Sequence, residues 1–239
     1  TRAPFLLILN PDAALKTPIG ALEEECRNGA GAVGGLLLDF DGRPQRGFTL
    51  RRFPSAASLA FEALGINRLW PNNPVNRRYR CLDCSLDEPC AAEQPPGAFL
   101  MFRRDAWEAV GGFDEGFHPL WFEDVDFCKR LASRRILIRF NPLAVASHAG
   151  GHTVRNLAWP LRNRYWYGSL LRYAGKHFRP AERRLVCLCV CAGVVLRLLG
   201  EIGKGGWMPA AGAALSVIRL AAQYFFSGAP CIKDAVRAR

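Results

Sequence analysis

Residues Phe117–Arg130 read FHPLWFEDVDFCKR. A turn-forming, aromatic segment (His118-Pro119, Trp121-Phe122) gives way to Glu123, Asp124 and Asp126 and then to a mixed apolar and basic run. This predicts a helix over about 122–133 with three carboxylates in its opening turn. Acids at that place have a purely structural reason, because the helix dipole stabilises each by about 0.3–1 kcal/mol. They are also embedded among Trp121, Phe122, Val125 and Phe127, where desolvation lifts a carboxylate toward the range of a general base. Read alone, the stretch fits a helix start and a catalytic pair equally well.

The neighbouring segments narrow the choice. Downstream, Ile136–Phe140 and Leu143–Ala146 are strand-like, broken by Asn141-Pro142, and lead to Ser147-His148 and a pair of glycines. A histidine at a strand end is a candidate metal ligand. Upstream, Gly97–Arg103 (GAFLMFR) is a strand, followed by a short helix over Asp105–Val110 that Gly111-Gly112 stops. At the start of the chain, Phe5–Leu9 is a continuous apolar run and predicts a buried parallel strand. It ends in Asn10-Pro11-Asp12. That tripeptide is an ordinary turn, but at a strand end of an α/β sheet its Asp12 is also placed to bind Mg2+ or Mn2+ through oxygen. Thr17-Pro18 predicts a helix start and Asn28-Gly29 its end. Val33–Leu38 predicts a strand that Asp41-Gly42 turns back toward Phe48–Leu50 as a hairpin. Residues 51–95 give a short helix over Ser55–Leu64 and then a long loop. Strands alternating with helices define an α/β domain.

The chain has 239 residues, 50% of them hydrophobic, with a net charge of +11. That suits one substantial domain with an appendage and excludes bulk disorder. Through Val154 there are 18 basic and 18 acidic residues; from Arg155 onward there are 14 basic and 3 acidic. The whole excess therefore sits in the last third, which also carries the apolar runs Leu185–Leu199 and Trp207–Phe226. Boundaries of 1–154 for the α/β part and 155–239 for a helical, basic and apolar tail follow. Neither run reaches the roughly 20 clean apolar residues of a spanning helix, so the tail reads as interfacial or re-entrant helices, or a helical pair packed on the domain, with a transmembrane hairpin as the alternative; an anionic membrane surface is the expected partner of its charge. No nucleic-acid-binding motif accompanies the charge, and nucleic acid is not an expected partner. Cys81, Cys84 and Cys90 form C-x2-C-x5-C without a fourth ligand nearby in sequence, and read as reduced loop cysteines rather than a zinc site.

The run from Gly97 to Glu115 (GAFLMFRRDAWEAVGGFDE), the WFEDVDFCKRL segment, and Pro142 with Ser147-His148-Ala-Gly-Gly together resemble the family 2 glycosyltransferases, most closely bacterial rhamnosyltransferase-like members with the GT-A fold. The resemblance covers roughly residues 5–178. It implies a partial GT-A, Rossmann-like α/β domain that moves a sugar with inversion from a nucleotide-sugar donor to a glycan or lipid-linked acceptor. A deoxysugar nucleotide such as dTDP-rhamnose is the expected donor class. Carried over by position, it implies Asp124 as base with Glu123 beside it and Asp12 and His148 as ligands of a divalent metal (Mg2+ or Mn2+). It further implies substrate contacts for Asn10, Gly97, Ala98, Trp121 and Arg162. It also implies cell-envelope polysaccharide synthesis at the cytoplasmic face of the membrane. Members carry a nucleotide-binding half before the Asn-Pro-Asp strand, so an upstream segment is expected; a truncated remnant serving as a membrane-bound assembly module is the alternative.

Overall fold

The computed structural model describes residues 2–150, 157–201 and 207–229. The chain divides into two compact units. One comprises Thr1–Phe53, Arg77–Gly116 and Glu123–Arg155, the other Pro54–Asn76, Phe117–Phe122 and Asn156–Arg239. The expected boundary between residues 154 and 155 falls outside the described residues. The strands are β1 (Phe5–Leu9), β2 (Ala13–Leu15), β3 (Ala32–Leu38), β4 (Cys90–Ala91), β5 (Phe99–Arg103) and β6 (Ile138–His148). The helices are α1 (Gly20–Arg27), α2 (Ala56–Ala63), α3 (Ile66–Leu69), α4 (Pro74–Tyr79), α5 (Arg104–Val110), α6 (Glu123–Ser133), α7 (Trp159–His177), α8 (Pro180–Glu201) and α9 (Trp207–Ser227). This is a mixed α/β architecture, as expected.

In the first unit the strands form one sheet in the order β1-β5-β3-β6-β2, with β4 also on β6. The expectation of a parallel first strand is corrected. β1 runs antiparallel to β5, from Phe5 opposite Arg103 to Leu9 opposite Phe99. Its apolar continuity has another cause. Phe5, Leu7 and Leu9 pack on the cluster that holds Leu22, Val33, Leu37 and Phe99, while Leu6 and Ile8 pack on the cluster of Leu100, Phe102, Phe127 and Leu131. Both faces of the sheet are covered, so both faces of the strand are apolar whatever its direction.

The hairpin toward Phe48–Leu50 forms only in part: Asp41-Gly42 turns the chain back so that Pro44 pairs antiparallel with Leu38, but Phe48–Leu50 is not a strand. Phe48 and Thr49 donate their N–H groups to the Gln45 carbonyl, which closes a turn instead of a strand. Beyond that bridge the Thr49 hydroxyl holds the segment to β3, bonding to the Leu37 carbonyl and accepting from the Leu37 N–H. β6 runs unbroken through Asn141-Pro142, with a register shift on β3 between Gly35 and Leu36. A proline at such an irregularity leaves no ladder donor missing. Gly35 is required there, because a Cβ would lie 2.1 Å from the Phe99 ring. α1 starts at Gly20 rather than at Thr17, whose hydroxyl is engaged by β6 through the Leu143 carbonyl and the Val145 N–H.

In the second unit α8 packs on α2, α7 and α9. Its inward face is Val186, Cys187, Val190 and Val194, all buried. Gly193 meets the end of α2 so closely that a Cβ would lie 2.0 Å from the Ala63 carbonyl oxygen. Ser55 starts α2 with a capping box closed by Ser58, an arrangement that satisfies two otherwise unpaired N–H groups. Leu185, Leu188, Val195, Leu196 and Leu199 remain exposed on α8. Among the described residues no helix is long and apolar enough to cross a membrane.

Candidate active site

The site in the first unit is built where β1 and β6 end and β5 begins. β1 delivers the chain into Asn10-Pro11-Asp12, and β2 returns along β6 with Ala13 opposite His148. This register brings Asp12 to the last residue of β6, 136 positions later in the chain. The Asp12 carbonyl accepts from the Ala149 N–H at 2.9 Å. The Asp12 Oδ1 and His148 Nε2 atoms are 3.5 Å apart, and Asn10 Nδ2 lies 3.5 Å from the same nitrogen. His148 is 4% exposed and Asp12 17%. Burial holds the His148 pKa below the ordinary imidazole value, against the opposing pull of the Asp12 carboxylate. The ring is therefore neutral at pH 7 and keeps one lone pair for a ligand.

Two features of this corner escaped the sequence reading. Gln45 grips His148 at two points, its Oε1 3.1 Å from Nδ1 and its Nε2 donating to the His148 carbonyl at 2.7 Å. Phe48 stacks on the imidazole, with centroids 5.2 Å apart and planes within 5°. Neither Gln45 nor Phe48 belongs to a motif; the Asp41-Gly42 turn is the only local signal, and it predicts a change of direction, not a partner.

The Asn10-Pro11-Asp12 turn is linked to Asp124 through the backbone. Asn10 donates its N–H to the Ala98 carbonyl at 3.0 Å. The next residue back, Gly97, donates its N–H to Asp124 Oδ2 at 2.7 Å. A Cβ on Gly97 would lie 3.2 Å from the Asp124 Cβ and 3.5 Å from Oδ2, so the absence of a side chain lets the two approach. The other carboxylate oxygen of Asp124 accepts from the Val125 N–H at 2.7 Å. Asn10, Asp12, His148, Gly97, Ala98 and Asp124 are thus brought into one connected array.

Desolvation singles out Glu123. Burial, and next the Asp124 carboxylate, push the Glu123 carboxyl up to about 7. Its buried Oε2 has no hydrogen-bond partner among the described residues. Asp126, the third acid of the segment, is structural. It is fully buried and accepts from Arg130 Nε at 2.7 Å, while the same guanidinium caps the carbonyls of Val110 and Gly112. Immediately before α6, Trp121 and Phe122 both take left-handed backbone, with φ of 70° and 69°. Such residues cost on the order of 1–3 kcal/mol each and are held by their surroundings. Here Phe122 is buried beside Trp166 and Tyr173, and Trp121 meets Trp166 edge-on. Trp121 and Arg162, on α7, both belong to the second unit.

Cys81, Cys84 and Cys90 are free and pack beside Leu50, Leu86 and Phe140. Burial, then the neighbouring Cys84, pushes Cys81 up to about 12, so it stays a protonated thiol at neutral pH. Among the described residues no group of three or more His, Cys, Asp or Glu side chains is arranged to hold a metal ion. The Asp12–His148 corner brings together one carboxylate and one imidazole.

No protein-family model matches the chain. It is 32% identical over 184 residues to the pre-mycofactocin glycosyltransferase of Mycobacterium tuberculosis, covering 71% of this chain and 37% of that protein. It is 33% identical over 129 residues to the N-acetylglucosaminyl-diphospho-decaprenol L-rhamnosyltransferase of the same organism, covering 52% and 39%. Over 174 residues it is 25% identical to the rhamnosyltransferase WbbL of Escherichia coli K12, covering 68% and 61%. All three are glycosyltransferases, and two transfer rhamnose by name. The chain is a relative of the rhamnosyltransferase-like glycosyltransferases of family 2. It spans less than two thirds of the length of each of these relatives.

Proposed function

We propose that the chain is the part of an inverting, nucleotide-sugar-dependent glycosyltransferase of GT-A type that carries the base and the diphosphate-binding corner. The observation that carries this reading is the backbone relay just described. The turn holding Asp12 against His148 is bonded to Ala98, and the adjacent Gly97 N–H holds Asp124. Sugar transfer needs those two kinds of group at one place. In a single displacement the acceptor hydroxyl oxygen bonds to the anomeric carbon while the bond from that carbon to the diphosphate oxygen breaks, so configuration inverts. Asp124 takes the hydroxyl proton. Gly97 orients its carboxylate, and Glu123, with a carboxyl near neutrality, stays largely uncharged beside it at acidic pH and so limits repulsion. Asn10 supplies an amide at the diphosphate end.

Asp12 and His148 fit a divalent cation. One carboxylate oxygen and one neutral imidazole nitrogen converge, a donor set that suits Mn2+ or Mg2+. Bound there with the donor diphosphate, such an ion would neutralise charge on the leaving group. A rhamnose nucleotide as donor and a lipid-linked glycan as acceptor follow from what the relatives' names describe. The test is sugar release from a panel of deoxysugar nucleotides by the native protein, with and without chelator. Turnover of dTDP-rhamnose that Mn2+ or Mg2+ restores after chelation supports the reading. Absence of turnover with every nucleotide sugar and lipid-linked acceptor would overturn it.

The tail is the membrane-facing element in this reading, at the cytoplasmic surface. The exposed residues Leu185, Leu188, Val195, Leu196 and Leu199 recur at helical spacing on α8, opposite its buried face. The basic excess of the last third surrounds them in sequence. An apolar stripe with basic residues about it is the arrangement of a helix lying in an anionic interface.

A further inference from the structure

We infer that Gln45 is a positioning residue that sets the tautomer of His148, placing the proton on Nδ1 and leaving Nε2 bare toward Asp12. The His148 backbone carbonyl can only accept. Gln45 lies 2.7 Å from it through Nε2, so that end of the side-chain amide is the NH2 donor. The other end is then the oxygen, and it is Oε1 that lies 3.1 Å from His148 Nδ1. An amide oxygen has no proton to give, so Nδ1 must carry one. In a neutral imidazole the second nitrogen is then an acceptor. Asn10 Nδ2 and Asp12 Oδ1 both stand 3.5 Å from Nε2, longer than a donated N–H···O bond, so the Gln45 contacts alone decide the tautomer.

Gln45 is itself held in place. Its N–H donates to the Leu37 carbonyl at 2.9 Å, and the turn before it is tied by Asp39, whose carboxylate accepts from the N–H groups of Asp41 and Arg43. Phe48, stacked on the ring, blocks the imidazole from turning over. Partners of this type orient metal-binding histidines and raise their basicity, and their loss typically costs 10–100-fold in affinity. Only this affinity consequence rests on the metal reading of the corner; the tautomer does not.

The experiment uses the full chain labelled with 15N-histidine. Long-range 1H–15N spectra at pH 7.5 read the protonation of each ring nitrogen, and the His148 signals are those lost in His148→Ala. The wild type should show a protonated Nδ1 and a bare Nε2. Gln45→Leu should move the proton to Nε2, toward Asp12, and weaken Mn2+ binding, followed by paramagnetic resonance of the free ion, by about 10–100-fold. Gln45→Glu gives up the donor to the His148 carbonyl but keeps an acceptor at Nδ1, and should keep Nδ1 protonated. A wild-type ring protonated on Nε2 overturns the inference, and so does an unchanged Nδ1–H tautomer in a natively folded Gln45→Leu. If Gln45→Leu fails to fold, the wild-type and Gln45→Glu spectra decide. If the tautomer behaves as stated but the wild type binds no Mn2+, the inference stands and the metal reading fails.

Discussion

The Gly97 N–H donates to the Asp124 carboxylate at 2.7 Å across 27 residues of chain, with no side chain between them. The contact fixes the start of α6 against the start of β5, and it depends on a residue without a Cβ. In Gly97→Ala the new methyl would press on the Asp124 Cβ from 3.2 Å. A displacement of a few tenths of an ångström should lower turnover by up to about 10-fold, less than the roughly 100-fold that a 1 Å misplacement can cost. Steady-state kinetics beside a thermal melt should show the loss in kcat with little change in Tm. An equal fall in both would reduce Gly97 to a packing position.

Asp124→Asn keeps the shape and both backbone donors near but removes the base. Turnover should drop by at least about a hundredfold while donor binding is largely spared. Near-normal turnover would remove Asp124 from this role. A larger loss in Glu123→Gln than in Asp124→Asn would move the role to its neighbour.

Glu123 should make stability fall as pH rises. Its carboxyl is pushed from about 4.5 to about 7 by burial and by Asp124. Between those values the folded chain holds a proton that the unfolded chain has released, so stability declines with rising pH across that window and the full penalty is present above pH 7. A shift of this size corresponds to at most on the order of 3 kcal/mol. Denaturant titrations should find Glu123→Gln more stable than wild type at pH 8 and equal to it below pH 4.5. A gap that does not vary with pH would contradict this account.

Asp12→Ala and His148→Ala should each weaken metal-dependent nucleotide binding, as titration calorimetry in the presence and absence of Mn2+ would report. Binding that is indifferent to both substitutions and to excess chelator would remove the ion from the scheme.

The stripe on α8 should govern lipid association. Leu188→Glu with Leu196→Glu alters two exposed residues and none of the buried contacts to α2, so the fold should persist. Wild type should sediment with anionic vesicles and be partly released by salt, each nearby basic residue contributing about 1 kcal/mol. The double variant should stay in solution. Equal wild-type binding to neutral vesicles at all salt concentrations would indicate insertion rather than surface attraction.

Much of the site was legible along the chain because its residues sit where local rules place them. Glu123 and Asp124 open a helix whose dipole favours acids, and His148 closes a strand. Asn10-Pro11-Asp12 follows an apolar run. Gln45 and Phe48 were not legible, because their value lies in meeting a histidine about a hundred residues away, and nothing local to them records that meeting. Asp126 shows the opposite error of proximity: it sits two residues from Asp124 yet faces Arg130 and the end of α5.

Local chemistry alone determined several helix ends of this protein, though not the start of α1 or the short helices α3 and α4. Ser55 caps α2, Gly111 stops α5, and the acids of α6 mark its start, since propensity, capping and dipole act within a few residues. The alternation that makes the chain α/β, and the concentration of basic charge in its last third, were equally local. Only the tertiary structure decided strand direction and partnership. β1 is apolar on both sides because two core clusters cover the sheet, a condition that parallel and antiparallel pairing satisfy alike, so its pattern could not record its direction. Only tertiary structure, too, joined α2 to α8 through Gly193, because a glycine that admits another helix end reads in sequence like any other. Side-chain pattern reports which surfaces are buried; which surface buries them depends on the whole chain's closure.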